Sequence, residues 1–70
     1  MTKGEELRKA IKDAGVTIVY LAEKMGCSRN RVYSIMEGAD CTATEIAALA
    51  SLLHLTRDQR DQIFLSGSVN

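Results

Sequence analysis

The chain has 70 residues, 46% of them hydrophobic, and its nine Lys and Arg are matched by nine Asp and Glu for a formal net charge of zero. A chain this short buries only about 60% of the surface its unfolded form exposes, so it holds one small core of modest stability. It has no apolar run near the ~18 residues of a membrane span and no export signal, and its two cysteines and single histidine offer neither CxxC nor a zinc-ligand spacing.

The expectation is a cytoplasmic protein with both thiols reduced and no membrane, metal or cofactor in its chemistry. The lack of proline and the few β-branched runs favour an all-α reading, with residues 1–70 as one domain. Residues 1–6 are expected as a frayed lead-in. Leu7, Ala10, Ile11 and Ala14 then make an apolar helical stripe, with Arg8, Lys9 and Lys12 away from it, and Gly15 ends the helix. Thr17 is the next N-cap, behind apolar Val16. A capped helix start is also a phosphate seat, since its free N–H groups and its dipole both favour an anion.

Ile18, Leu21, Ala22 and Met25 line one face of the second helix, and Gly26 ends it in the left-handed conformation. Cys27 is a small apolar plug, and Ser28 caps a third helix that runs to Glu37. Val32, Ile35 and Met36 lie on one side of that helix, leaving Arg29, Asn30, Arg31, Tyr33 and Ser34 for the others. Gly38 to Cys41 is a short loop. Thr42 with Glu45 makes a capping box, and Ile46, Leu49, Ala50, Leu52 and Leu53 form the largest apolar face, with His54 a dipole-favoured residue near its end. Thr56 with Gln59 opens a last helix through about Leu65, polar over Arg57 to Asp61 and apolar at Ile63, Phe64 and Leu65. Phe64 and Leu65 are the candidates for dimer contacts, and packing beneath the first helix is the alternative. Residues 66–70 are expected as a disordered tail.

Leu21, Ala22, Met25, Gly26, Cys27, Val32 and Ile35 resemble, in type and spacing, the helix-turn-helix of the lambda-repressor/Cro (XRE) family, placed here at residues 18–37. The resemblance extends from about Leu7 to Leu55. It implies a compact bundle of about five short helices, with Ala22 small because two helices cross there and Gly26 at the sharp turn between them. It further implies that the second motif helix enters the major groove, with Arg29 and Asn30 where the family's base-contacting residues lie. Their chemistry is apt: Arg29 or Arg31 suits a bidentate pair with guanine, and Asn30 one with adenine. The alternative is that both arginines are ordinary surface charges, Arg31 paired to an acid. Thr17, Ser28 and Tyr33 suit phosphate, and Ser34 a base or the backbone. The chain departs from the family at two places. Ile18 stands where a backbone-touching glutamine is common, and Ala39, Asp40 and Cys41 replace a loop that is often basic. Asp40 repels phosphate, which lowers the expected affinity.

Net charge argues at first against a nucleic-acid partner, but it is unevenly spread. Residues 1–35 carry seven basic and four acidic side chains, for +3, and residues 36–70 carry two and five, for −3. The basic half holds the motif. The function expected is therefore a sequence-specific, double-stranded-DNA-binding regulator, a small Cro-like repressor acting as a homodimer. Two alternatives keep the fold: a protein-interaction module without DNA binding, and the antitoxin of a toxin pair. An enzyme is the weakest reading, with no Ser/His/Asp set, no phosphate-cradling glycine loop and no small-molecule substrate suggested.

Overall fold

Local capping sets where most of the helices begin. In the computed structural model, which describes residues 2–65 (Leu65 by its backbone alone), Thr17, Ser28, Thr42 and Thr56 each stand in extended conformation just before a helix. Each side-chain oxygen accepts from the backbone N–H three residues on, at 3.0–3.1 Å. At Thr42 and Thr56 the box is reciprocal, with Glu45 and Gln59 accepting from the cap's own N–H at 2.9 Å. The helices are α1 (Gly4–Ala14), α2 (Ile18–Met25), α3 (Arg29–Met36), α4 (Ala43–Leu52) and α5 (Arg57–Arg60), the last running on into a π-helical turn, Asp61–Leu65. Among the described residues there is no strand. The expected tail at 66–70 lies outside them, as does the side chain of Leu65.

The stops are as local as the starts. Gly26 has φ 71°, its N–H donates to the Glu23 carbonyl, and the Cys27 N–H donates to the Ala22 carbonyl at 3.0 Å. These two bonds satisfy carbonyls that the end of α2 leaves without a partner, and they reverse the chain in one residue.

Tertiary packing then uses one stripe from each helix. Leu7 and Ile11 of α1, Leu21 and Ala22 of α2, Val32 and Ile35 of α3, and Leu49 and Leu53 at α4 meet with Ile63 and Phe64 in a single buried cluster. Helix α3 packs against α1 and α2, α2 against α4, and α1 against the π-helical turn. Each large aliphatic or aromatic side chain in this cluster contributes about 1.5–3 kcal/mol by leaving water.

Two expectations are corrected here. Phe64, a candidate for dimer contacts with core packing as the alternative, is 2% exposed and fills the core, so the dimer candidacy gives way to the alternative. The π-helical turn swings the apolar end of the last helix onto α1, so its aromatic ring is spent on this chain's own interior. The lead-in is likewise pinned, not frayed. Thr2 is 3% exposed and its hydroxyl donates to the Ala39 carbonyl at 2.7 Å, while the Lys3 N–H donates to the Ile63 carbonyl at 2.8 Å. Gly4 follows, lying so close to the end of α3 that a Cβ there would overlap the Met36 carbonyl oxygen. No helix among the described residues is long and apolar enough to cross a membrane.

Candidate nucleic-acid interface

Helices α2 and α3 are joined by Gly26, Cys27 and Ser28 alone, so one tight turn and one cap fix their relation. Leu21 and Ala22 of α2 and Val32 and Ile35 of α3 are all buried, which turns the opposite face of α3 outward. That face carries two rows of neighbours one turn apart, Arg29 beside Tyr33 and Asn30 beside Ser34. All four are exposed, as is the capping Ser28, and Tyr33 retains 48% of its surface. Among the described residues, neither Arg29 nor Asn30 makes a side-chain hydrogen bond or ion pair. Both stand in the first turn of the helix, the part that meets base edges when such a helix lies in a major groove.

Thr17 is exposed at the start of α2, its hydroxyl held by the Tyr20 N–H at 3.0 Å. The N–H groups of Ile18 and Val19 belong to the first turn and have no partner within the helix. Ile18 itself is half-buried, whereas Val19 is 56% and Tyr20 39% exposed. The Lys24 ammonium lies over the Tyr20 ring, 5.7 Å from its centroid, keeping a positive charge on this side of the motif.

Arg31 stands apart from the other candidates. Its Nε donates to Glu45 Oε2 at 2.8 Å and its Nη2 to Glu45 Oε1 at 2.7 Å, a forked pair between α3 and the first turn of α4. Nη2 also donates to the Asp40 carbonyl at 2.9 Å. The hydrogen bond from Arg31 holds the Glu45 carboxyl at a pKa of about 2, well below the usual carboxylate range. Both partners therefore stay charged at neutral pH. The second role of Glu45 has no local signature in the sequence, since a spacing of fourteen residues is no helical repeat. Thr2 was missed for the same reason.

The two thiols flank this region as free cysteines, both half-buried. Burial pushes the Cys41 thiol up from its ordinary pKa, so it packs as a neutral group against the Thr2 hydroxyl, 3.6 Å away.

The model of one family, described as a helix-turn-helix domain, matches residues 4–63. The chain belongs to that family. The match spans all five helices and most of the π-helical turn, so it covers the whole bundle and not the two-helix motif alone. No curated protein and no solved structure matches the chain. Membership marks it as a DNA-binding domain, and in this helix-turn-helix domain the second motif helix is α3, whose free outer face has just been described.

Proposed function

We propose that this helix-turn-helix domain is a sequence-specific reader of double-stranded DNA and acts as a small repressor. The observation that carries the reading is the pairing of a free Arg29 with a free Asn30 on the exposed first turn of α3. An arginine fork matches the two acceptors of guanine, and an asparagine amide matches the donor and acceptor of adenine. Ser28 at the cap of α3, Tyr33 and Ser34 within it and Thr17 at the start of α2 carry hydroxyls suited to phosphate oxygens, which set register without reading sequence. The N–H groups at the start of α2 add to them. Repression would be steric, a bound domain excluding polymerase from the site it covers.

One helix reads only a few base pairs, so the reading includes a second copy of the chain on a half-site about one helical turn away. Phe64 is not available for that contact. Binding should weaken steeply with salt, because the affinity rests on phosphates.

Selection of bound sites from random DNA at two salt concentrations tests the proposal. A site should emerge, and Arg29→Ala should weaken binding to it by about 1–3 kcal/mol while relaxing the preference at one base pair. Equal weakening on the selected site and on unrelated DNA would remove the base-reading role. Exposed Val19 and Tyr20, together with zero net charge, favour protein interaction as the second reading. Recovery of no salt-sensitive site would decide for it.

A further inference from the structure

We propose that Arg31 is a positioning residue of the reading helix and not itself a reader: its forked pair with Glu45 fixes α3 against the start of α4 and so sets the aim of Arg29 and Asn30. The inference rests on α3 being the DNA-reading element.

The guanidinium is already committed. A guanine contact needs two N–H groups of one fork, and the Nε and Nη2 groups of Arg31 both face the Glu45 carboxylate, at 2.8 and 2.7 Å. Nη2 donates a second time, to the Asp40 carbonyl at 2.9 Å. The receiving carboxylate is committed too, because Oε1 also accepts the Thr42 N–H at 2.9 Å in the capping box of α4. The ion pair thus joins three things: Arg31 on α3 reaches both the Glu45 carboxylate and the loop carbonyl before α4, and that carboxylate holds the cap that starts α4.

This clamp spans the connection at residues 37–42, the one link of the motif helix to the rest of the chain on its C-terminal side. It leaves α3 two residues after Arg29 and on the flank towards α4, so it opposes rotation of the helix about its own axis. A small rotation would carry Arg29 and Asn30 out of register with base edges, and such contacts tolerate about 0.5 Å. With side-chain exposures of 34% and 20%, the pair is wet enough to form at little desolvation cost and covered enough to persist.

The opposite use of the same geometry is a decoy, in which Glu45 holds Arg31 until DNA takes it. The two differ in sign. If Arg31 is released to phosphate, Glu45→Gln strengthens binding by freeing the arginine and removing a negative charge. If Arg31 aims the helix, the same change weakens binding to the selected site.

The test uses the full chain as native protein, Arg31→Lys, Arg31→Met, Glu45→Gln and the Arg31→Lys/Glu45→Gln double variant, titrated against the selected site and an unrelated duplex over a salt series. Each single change should weaken the selected site about tenfold and the unrelated duplex less than about twofold, and the double should be no worse than the worse single. Lysine keeps the charge and loses the fork, so a phosphate contact would survive Arg31→Lys and a clamp would not. Arg31→Met should leave the salt slope unchanged, where loss of a phosphate contact lowers it by about 1. Arg31→Lys carries the test should Arg31→Met fail to fold. Additive effects, an unaffected Arg31→Lys or a tighter Glu45→Gln would overturn the positioning role while native selectivity stands. A native chain that selects no site would instead bring down the DNA-reading function, and this inference with it.

Discussion

His54 holds a position that glycines hold elsewhere in the chain. Its φ is 55°, beside 71° at Gly26 and 109° at Gly38, and the same pair of bonds closes all three turns. At His54 these are its own N–H to the Ser51 carbonyl and the Leu55 N–H to the Ala50 carbonyl, at 3.3 and 2.9 Å. A favourable helix dipole explains a polar residue at the end of α4 but not a left-handed one, which costs a residue with a Cβ about 1–2 kcal/mol. His54→Gly removes that strain and returns about 0.5–1 kcal/mol as extra freedom of the unfolded chain. The expected result is a net gain of about 0.5–1 kcal/mol, seen as a rise of a few degrees in Tm by circular dichroism. No change or a fall would mean that the imidazole makes up the strain.

At the scale of the element, the caps and stops were legible in the sequence because each is a contact between residues at most five apart. Thr17, Ser28, Thr42 and Thr56 act as expected, and so do Gly15 and Gly26. The join between α3 and α4 was not legible in the same way, because Arg31 and Glu45 are fourteen positions apart and nothing local selects one acid among nine. That join gives the domain an acid-sensitive part. The folded pKa of Glu45, about 2, lies below its ordinary 4.5, so its stabilisation is complete above pH 4.5 and is lost as the pH falls towards 2. Thermal melts of native protein and Glu45→Gln from pH 7 to pH 2 should differ by a constant Tm gap above about pH 5, with the gap closing below 4.5. A gap that persisted to pH 2 would show that the carboxylate is stabilised equally in the unfolded chain.

For the whole molecule, the question is what the apolar end of the last helix does. Ile63 and Phe64 are 3% and 2% exposed, and Phe64 ranks among the largest fully buried side chains. The sequence left it between self-association and the core, since an apolar triplet reads the same in either setting. Packing decides it: the π-helical turn packs against α1 beside the pinned lead-in, and Phe64 is buried there. Phe64→Ala should therefore cost about 3–5 kcal/mol, enough to unfold much of a domain this small. The loss of Tm should be independent of protein concentration, whereas a residue at a dimer contact would give a concentration-dependent one.

What the sequence determined by itself is the set of helices, the ends that caps and glycines mark, and the adjacency of Arg29 and Asn30 at the start of α3. These follow from short-range rules of capping, helical period and backbone freedom that act before any helix meets another. The start of α1 at Gly4 and the π-helical turn at 61–65 were not among them. Only the tertiary structure decided which arginine stays free and which is tied to Glu45, that Thr2 and Lys3 are anchored, and that Phe64 belongs to the interior. Each of these depends on groups remote in the chain reaching hydrogen-bond or van der Waals distance, and no local pattern fixes which remote group that is.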